Sequence, residues 1–292
     1  MKVSFTKMQG SGNDFILVDE WEQDAVPEEM KQAFVALVSD RHTGVGSDGV
    51  IFVRKSSSAD AKFVFYNPDG SLAEMCGNGI RCFAKYLYER RYVTKTEFSA
   101  ETLAGAKKLT LTLYNDAVEQ VRVCMGAPQV KRGEAQVAGN PDDSFVDQEL
   151  VVDGVSYRVT SVGMGNPHAV LFVGDVDVVD VGKVGRKIRG LRKVFPHGVN
   201  VHFVGEAGKN EFKIRTYERG VEAETLACGT GICASAVAAV IAGKADPKKA
   251  VKFHARGGDL SVEFDVEDTT ITNVYLIGPA LEVFTGELEY AP

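Results

Sequence analysis

Two cysteines of this 292-residue chain lie in matching glycine loops. Cys76 begins the motif Cys-Gly-Asn-Gly-Ile, Cys228 begins Cys-Gly-Thr-Gly-Ile, and a helix-like apolar stretch follows each motif. Glycine permits a tight turn and lets a ligand approach the backbone amides. Because a helix N-terminus carries unpaired N–H groups and partial positive charge, a thiol there ionises more readily and a carboxylate can bind beside it. The two loops therefore predict reactive thiols next to an anion site.

The loops belong to a weak internal duplication. Cys76 and Cys228 are 152 positions apart (228 − 76), and other landmarks repeat at nearly the same offset. These landmarks are the turns Gly12-Asn13 and Gly165-Asn166, the helix residues Leu37 and Leu191, and the strand residues Phe52 and Phe203. The shared order predicts two similar halves, residues 1–125 with 276–292 and residues 126–275. We expect an α+β fold in which each half is a mostly antiparallel strand barrel around a central helix.

Hydrophobic periodicity predicts the elements of each half. The i, i+4, i+7 spacing gives an outer helix with an apolar face of Met30, Phe34 and Leu37 in the first half, and of Val184, Ile188 and Leu191 in the second. Strands are predicted at 49–53 and 61–66, and at 199–204 and 211–217. The helix after Cys228 is apolar or small all round, which indicates burial. The helix after Cys76 is predicted to place Lys85 and Glu89 away from its apolar stripe.

Two such thiols can act together on one substrate atom. The halves of a duplicated protein are expected to present their loops to each other across a cleft. One thiolate then removes a proton from a carbon and the other thiol returns a proton to the opposite face, which inverts the stereocentre. Amides aimed at a neighbouring carboxylate stabilise the developing charge, by about 3–4 kcal/mol for each well-placed donor. A disulfide between the two cysteines is the alternative, interpreted as an inactivated form.

A single cysteine is more often a small buried hydrophobe. That interpretation is kept for Cys82, Cys124 and Cys233, of which Cys124 is expected to follow a strand.

Arg219, in a Glu-Arg-Gly turn before Cys228, is either a bidentate ligand for a carboxylate or a member of a surface ion pair.

Composition argues against several other classes of function. The formal net charge of −7 and the pI of about 5.4 do not suit a nucleic-acid partner. No apolar stretch reaches 18 residues, and the N-terminus lacks the apolar core of a signal peptide, so no membrane association is expected. The odd number of cysteines, five, favours a reducing cytoplasm over a disulfide framework. The histidines show no metal-ligand spacing, and all but His168 are assigned structural or surface roles.

Taken together, the motifs resemble those of the diaminopimelate epimerase family over nearly the whole chain. The matching segments are Met8–Phe15, Arg41–Gly46, Tyr66–Ser71, Cys76–Cys82, Gly165–His168, Gly198–Asn200, Glu218–Gly220 and Ala227–Gly231. The resemblance implies interconversion of LL- and meso-2,6-diaminopimelate for lysine and peptidoglycan synthesis, without pyridoxal phosphate, metal or another cofactor. It also implies two pseudo-symmetric domains, a cleft that closes on this small-molecule substrate, and a homodimer.

The resemblance further implies roles for individual residues. Cys76 and Cys228 are the implied acid–base pair. The implied cradle for the reacting carboxylate is Gly77, Asn78, Gly229 and Thr230, and the implied contacts to substrate amino and carboxyl groups are Asn13, Asn67, Asn166, Asn200, Glu218 and Arg219. His168 and Glu218 are implied to adjust the pKa values of the cysteines. The chain departs from some members at Gly49, where they carry a substrate-contacting glutamine, whereas Thr230 keeps the hydroxyl of their serine.

Three alternatives remain at this stage. A proline racemase-like enzyme also uses two cysteines on this type of fold, but its first loop is Cys-Gly-His, and Asn78 speaks against it. Phenazine-biosynthesis isomerases share the fold but lack the cysteine pair. A redox-sensing or anion-binding protein could use the glycine loops as a nest of amides, but it leaves the Glu218-Arg219 turn unexplained.

Overall fold

The computed structural model describes residues 1–291, which fall into two compact units. The first half comprises Met1–Cys124 together with the C-terminal segment from Gly278 onward, and the second half comprises Met125–Ile277. The division predicted from the sequence, at 125/126 and 275/276, lies within two residues of these boundaries. Pro292, the last residue of the predicted first half, lies outside the described residues.

The first half is built mainly of strands. They are β1 (Lys2–Gly10), β2 (Asn13–Asp19), β3 (Val50–Arg54), β4 (Ala61–Tyr66), β5 (Leu72–Ala73), β6 (Glu97–Thr102), β7 (Gly105–Tyr114) and β8 (Ala117–Gly126). The helices are α1 (Lys31–Ser39), which follows a 3-10 turn at Glu28–Met30, and α2 (Gly77–Glu89). In strands such as β6, buried residues alternate with more exposed ones, as expected when one face lies on a core.

The second half repeats this composition. Its strands are β9 (Gln148–Val152), β10 (Val155–Gly163), β11 (Pro167–Phe172), β12 (Asn200–Gly208), β13 (Glu211–Glu218), β14 (Ala223–Thr225), β15 (Val251–Ala255), β16 (Gly258–Glu267) and β17 (Thr270–Gly278). Its helices are α3 (Val181–Arg189) and α4 (Gly229–Ile241). The chain then returns to the first half as β18 (Leu281–Glu289).

The two halves share one strand order. The first runs β18-β1-β2-β3-β4-β6-β7-β8, with β5 beside β4. The second runs β9-β10-β11-β12-β13-β15-β16-β17, with β14 beside β13. The parallel pairs also correspond, since β2–β3 matches β11–β12 and β4–β6 matches β13–β15. The predicted α+β class with mostly antiparallel strands is confirmed, and the matching order supports the duplication.

Each half wraps its strands around one central helix. Helix α2 packs against β1, β2, β3 and β7, and α4 packs against β10, β11, β12 and β16. Residues Ile232–Ala239 of α4 are all buried, as its small apolar side chains predict. Residues Gly77–Leu87 of α2 are buried too, so the predicted outward position of Lys85 was wrong. Its Nζ donates to Oε1 of Glu89 at 2.6 Å and to the carbonyl of Val118 at 2.8 Å, which satisfies the charge inside the half.

The outer helix α1 forms, but not with the predicted face. Its buried apolar residues are Phe34, Val35 and Val38, and Leu37 is 48% exposed. Met30 belongs to the 3-10 turn that precedes the helix. The buried face runs i, i+3, i+4, i+7 from Lys31, which leaves Leu37 outside it, whereas Met30 packs against the same core as Phe34.

The corresponding helix α3 and the predicted strands follow the sequence more closely. Ile188 is fully buried in α3, although Leu191 lies beyond the last helical residue, Arg189. The four strands predicted beside the outer helices are β3, β4, β12 and β13. Among residues 1–291, no helix combines the length and apolar character needed to cross a membrane.

Candidate active site

Both cysteines occupy the N-cap position of a central helix, as predicted. Cys76 caps α2 with φ −134° and ψ 118°, and Cys228 caps α4 with φ −117° and ψ 106°. Sγ of Cys76 accepts a hydrogen bond from the N–H of Gly79 at 3.5 Å, and Sγ of Cys228 lies 3.6 Å from Oγ1 of Thr230. Each sulfur therefore lies beside the first turn of its helix, where the helix dipole favours negative charge.

In the first half, side-chain hydrogen bonds hold the start of α2 to the turn between β1 and β2. Asn78 donates from Nδ2 to Oδ1 of Asn13, and Asn13 donates from Nδ2 to Oδ2 of Asp48 at 2.9 Å. Two of the asparagines singled out in the sequence are thus joined directly, beside the N-cap Cys76. The carboxylate of Asp48, which the sequence did not single out, fixes the amide orientation of both.

Charged side chains secure this turn. Arg41 donates from Nη2 to Oδ1 of Asp48 at 2.7 Å and to Oδ1 of Asp14 at 2.6 Å. Lys7 forms an ion pair with Asp14 and a hydrogen bond to the carbonyl of Gly46. Burial by itself raises the pKa of Asp14, but the hydrogen bonds and charges of Arg41 and Lys7 outweigh it and hold that pKa below its ordinary value. The turn is therefore anchored by an ionised carboxylate at neutral pH.

Arg81 places a fully buried guanidinium at the start of α2. Its Nη1 donates to Oδ1 of Asn78 at 3.0 Å and to the carbonyl of Gly77 at 3.1 Å. Its Nη2 donates to Oγ of Ser11 at 2.8 Å, and its Nε donates to the carbonyl of Pro279 at 3.2 Å. The planar fork of arginine suits several acceptors at once. One side chain thus connects the helix start, the β1–β2 turn and the C-terminal segment of the first half.

Two other first-half positions have distinct local roles. Asn67 closes a turn after β4, donating from its backbone N–H to the carbonyl of Ser71 at 2.9 Å and from Nδ2 to Oγ of Ser71 at 3.0 Å. Gly49 has φ +154°, and a Cβ there would lie 2.4 Å from Cε2 of Phe65 and 2.5 Å from the carbonyl oxygen of Tyr66. The glutamine of some relatives therefore does not fit here without a shift of Phe65 and the adjacent backbone.

In the second half, ring and hydroxyl groups form a buried polar chain. Nε2 of His168 lies 2.7 Å from Oδ1 of Asn166, and Nδ1 of His168 lies 2.9 Å from Nε2 of His202. Nδ1 of His202 lies 2.9 Å from Oγ1 of Thr216. Burial, followed by the electrostatic effects of the His202 ring and Arg219, holds the pKa of His168 well below its ordinary value, and burial lowers the pKa of His202 to about 3. Both rings are therefore neutral at physiological pH.

The ring of His202 lies directly against the first turn of α4. A Cβ placed on Gly231 would be 2.0 Å from Cε1 and 2.6 Å from Nε2 of His202. At Gly79, the matching position of α2, a Cβ would lie 3.3 Å from Cδ1 of Ile51 and 3.5 Å from Cε1 of Phe15. Glycine is thus required at 231 by an imidazole that the first half does not have.

Asn200 joins two of the predicted site loops. It is 2% exposed, donates from Nδ2 to the carbonyl of Pro167 at 3.2 Å, and accepts the backbone N–H of Arg219 at Oδ1 at 2.8 Å. Thr225 donates from Oγ1 to Oε2 of Glu218 at 2.9 Å, which orients that carboxylate. Asn200 therefore brings Arg219, the chain neighbour of Glu218, together with the Gly165-Asn166-Pro167 turn, and Asn200 retains one amide hydrogen for a ligand.

The guanidinium of Arg219 has an environment that suits an anion. Its Nη1 donates to the carbonyl of His197 at 3.1 Å, and within residues 1–291 no carboxylate forms an ion pair with it. Burial, followed by the charges of Arg189 and Arg192, lowers the pKa of Arg219. A partly desolvated cation among like charges is stabilised by an opposite charge. The surface ion pair considered for Arg219 is therefore not observed.

The remaining cysteines occupy packing positions. Cys82 in α2 and Cys233 in α4 are fully buried. Burial raises the pKa of the Cys82 thiol to about 12, so it stays protonated at physiological pH. Cys124 lies inside β8 and not after a strand, which corrects the sequence prediction.

Three residues that fix the geometry of the site were given no part in it by the sequence interpretation. They are Asp48, Arg81 and His202. Arg81 and His202 had a usable signal, because each is the polar member of an otherwise apolar run, Ile-Arg-Cys-Phe in α2 and Val-His-Phe-Val in β12. A polar side chain in such a run is buried and must be hydrogen-bonded. Asp48 had no such signal, since its partners depend on how the loop folds.

Solved structures define the class of fold. A phenazine biosynthesis protein of the PhzF family from Bacillus anthracis matches with a TM-score of 0.72 and 17% identity, covering 99% of this chain and 100% of that chain. A probable proline racemase from Agrobacterium radiobacter K84 matches with a TM-score of 0.72 and 16% identity, covering 99% and 94%. The chain therefore has the two-half fold found in racemases, epimerases and phenazine biosynthesis proteins. At these identities, the proline racemase and phenazine alternatives are matched in fold alone.

Sequence comparison identifies the family within this class. The family described as diaminopimelate epimerase matches residues 5–131 and 160–283. The diaminopimelate epimerase of Agathobacter rectalis is 44% identical over 98% of this chain and 99% of its own length. That of Methanococcus maripaludis is 42% identical over 98% of this chain and 100% of its own. The chain belongs to the diaminopimelate epimerase family, which confirms the resemblance drawn from its motifs.

The contact between Gly231 and His202 gives a matched pair of substitutions. Gly231→Ala is expected to destabilise the protein by about 1–3 kcal/mol, because the new methyl group forces the imidazole out of its position. Gly79→Ala is expected to change stability by less than about 1 kcal/mol, because no neighbour of the new methyl group lies closer than 3.3 Å and alanine gains about 1 kcal/mol of helix propensity. Urea unfolding of both variants measures the difference, and equal losses would contradict the asymmetry.

The donor fork of Arg81 gives a second prediction. Arg81→Lys retains the charge but cannot reach all four acceptors, so we expect a loss of about 1.5–3 kcal/mol in the free energy of unfolding. Arg90→Lys is the matched control, since Arg90 is partly exposed, pairs with Glu282 at 2.9 Å, and should contribute no more than about 1 kcal/mol. Chemical denaturation compares the two, and an unaffected Arg81→Lys variant would show that the fork is dispensable.

Proposed function

We propose that this protein interconverts LL- and meso-2,6-diaminopimelate without a cofactor, with Cys76 and Cys228 as its acid–base pair. The observation that carries the proposal is the equivalent placement of the two cysteines, each at the N-cap of a buried central helix. It is supported by full-length relatives, 40–44% identical, that are named diaminopimelate epimerase.

The reaction follows from having one thiolate and one thiol. The thiolate removes the proton from Cα of the substrate, and the thiol gives its proton to the opposite face of the same carbon. Configuration is inverted, and the two sulfurs exchange protonation states. The enzyme is then ready for the reverse reaction, so each stereoisomer is deprotonated by a different cysteine. A pair of this kind needs no other proton carrier within the turnover.

Removal of the Cα proton requires stabilisation of the negative charge that develops on the adjacent carboxylate. The first-turn amides of α2 and α4, at Gly77-Asn78 and Gly229-Thr230, are proposed to bind this carboxylate while charge builds up on it. Each amide aimed at the developing charge contributes about 3–4 kcal/mol. The hydrogen bonds from Arg81 fix the side chain of Asn78 and the carbonyl of Gly77, so the first-turn amides of α2 need little reorganisation.

Diaminopimelate carries two ammonium and two carboxylate groups, so its site needs both signs of charge. Arg219, which has no acidic partner among the described residues, is proposed to bind a substrate carboxylate. Glu218 is proposed to accept a hydrogen bond from an ammonium group, and its carboxylate is already oriented by Thr225. The remaining proposed polar contacts are Asn13, Asn67, Asn166 and Asn200.

His168 and Glu218 are also proposed to adjust the pKa values of the cysteines. Burial keeps the imidazole of His168 neutral, so it acts through the direction of its N–H dipole and not through a positive charge. The carboxylate of Glu218 acts in the opposite sense, because a negative charge nearby disfavours a thiolate.

We further propose a cytoplasmic homodimer. Strand β18 exposes a group of large apolar side chains, with Leu281, Val283 and Phe284 each about half exposed. Large exposed apolar side chains close together on one strand are consistent with a protein contact. The five cysteines are consistent with a reducing compartment.

Deuterium exchange tests the function itself. In D2O with a reductant, LL-diaminopimelate is expected to gain one deuterium at Cα as the meso isomer forms, because the returned proton comes from a solvent-exchanged thiol. Mass spectrometry and chiral chromatography follow the label and the product. L-Proline is the matched control substrate. Exchange into proline with none into diaminopimelate would overturn the proposal in favour of a proline racemase-like enzyme.

Replacing either sulfur tests the two-base mechanism. Cys76→Ala and Cys228→Ala are each expected to reduce epimerisation by about 10²–10⁴-fold or more, because each removes one of two obligatory proton carriers. Cys124→Ala is the control, since this half-buried cysteine lies inside a strand and away from a helix N-terminus. Wild-type rates in either of the first two variants would rule out the proposed pair.

A further inference from the structure

Three adjacent strands of the second half each supply one member of a buried polar chain. His168 comes from β11, His202 from β12 and Thr216 from β13, and His202 and Thr216 are direct partners in the antiparallel register. The side chains of both histidines are fully buried, and Thr216 is 3% exposed. The chain begins at Thr216 inside the core and ends at Asn166, which is half-buried. It therefore connects the interior of the second half with a residue of the proposed site.

The chain has one consistent direction of donation. A neutral imidazole has one donor nitrogen and one acceptor nitrogen. The direction of donation at one end of the chain therefore determines the direction of every other hydrogen bond in it. Within residues 1–291, the hydroxyl of Thr216 has Nδ1 of His202 as its hydrogen-bond partner and no second one. Since a buried hydroxyl hydrogen needs an acceptor, Thr216 donates to Nδ1 of His202. Nε2–H of His202 then donates to Nδ1 of His168, and Nε2–H of His168 donates to Oδ1 of Asn166.

This direction has a consequence at Asn166. Its Oδ1 is occupied by His168, so the amide is held in one of its two orientations. The NH2 group of Asn166 is then left to donate to a ligand, and an NH2 group pairs with a carboxylate but not with an ammonium group. Without the chain, both orientations of the amide are accessible.

We propose that His202 is a positioning residue for the epimerase reaction, which fixes the tautomer of His168 and, through it, the carboxylate-binding orientation of Asn166. The proposal rests on the proposed function and adds to it a residue to which neither the motifs nor the family resemblance assigned a role. His202 does not contact the reacting atoms. It acts through His168, and the hydroxyl of Thr216 determines which ring nitrogen of His202 is the donor.

The first half shows that the fold itself does not require this row of hydrogen-bonded side chains. By strand register, Phe15, Ile51 and Phe65 occupy the positions of His168, His202 and Thr216. Phe15 and Phe65 pack edge to face with centroids 5.9 Å apart, and all three are buried. The same positions therefore form an apolar core in one half and a hydrogen-bonded chain in the other.

The contact with α4 adds to the case for His202. The first turn of α4 carries glycine at 231, and the imidazole occupies the space that any side chain there would take. The ring thus lies against the first turn of α4 and is hydrogen-bonded to Thr216 on β13. A ring held at both of these contacts keeps its hydrogen bond to His168 in one direction.

The test compares two replacements of His202. His202→Gln keeps one donor and one acceptor, whereas His202→Leu keeps neither. Histidines labelled with 15N report the tautomer, because the protonated and bare ring nitrogens differ widely in chemical shift. Wild-type protein is expected to show His168 protonated at Nε2 alone. His202→Leu is expected to give a mixture of tautomers and a kcat for diaminopimelate reduced by about 10- to 100-fold, and His202→Gln is expected to stay nearer to wild type in both.

Thr216→Val provides a second route if His202→Leu does not fold. Valine keeps the shape of threonine but removes the hydroxyl that sets the direction, so a mixed tautomer at His202 and a smaller loss of kcat are expected. A single His168 tautomer together with wild-type kcat in either His202→Leu or Thr216→Val would overturn the positioning role. If wild-type protein did not turn over diaminopimelate, the proposed function would fail, and the tautomers would still report whether His202 orders His168.

Discussion

A helix that starts inside a protein core leaves its first N–H groups without intrahelical partners, and both halves of this protein are built around such a helix. Ordinary N-cap residues use a strong oxygen acceptor at this point. Here the N-cap is a cysteine, whose sulfur is a weak acceptor. The first-turn amides are therefore only weakly satisfied by the protein, and a carboxylate can compete for them. The rest of each half, from the enclosing strands to the polar side chains beneath the helix, keeps this weakly capped helix start in place.

The two halves support the start of the central helix with different side chains. In the first half, a buried guanidinium, Arg81, draws together the helix carbonyl, an asparagine and a serine hydroxyl. In the second half, the residue at the equivalent position is Cys233, and neutral imidazoles lie beneath the helix instead. A duplicated fold has thus kept its backbone and its two sulfurs while the supporting side chains diverged. This divergence is consistent with a substrate whose two faces at Cα are not equivalent.

The sequence predicted the parts of this arrangement that depend on local pattern. The glycine loops, the helices that follow them and the strands at 61–66 and 211–217 were found because each is encoded by neighbouring residues. The face of α1 was missed because its buried side is set by packing against strand residues, and the burial of Lys85 was missed because one of its acceptors, the carbonyl of Val118, lies on β8. The network of Asp48 and the partners of His202 depend on contacts between strands and loops far apart in sequence. No spacing rule along one chain contains that information.

The first strand of the chain pairs with the last one, from Lys2 against Glu289 to Gln9 against Leu281. The first half therefore cannot complete its sheet until β18 has been synthesised, long after β1. At about 5–20 residues per second, β1 waits for the order of tens of seconds with an unpaired edge. Unpaired edges template aggregation, whereas the second half is contiguous and can close earlier. The order of synthesis thus gives the two similar halves different folding histories, since the first half needs a strand from each end of the sequence and the second half is one continuous segment.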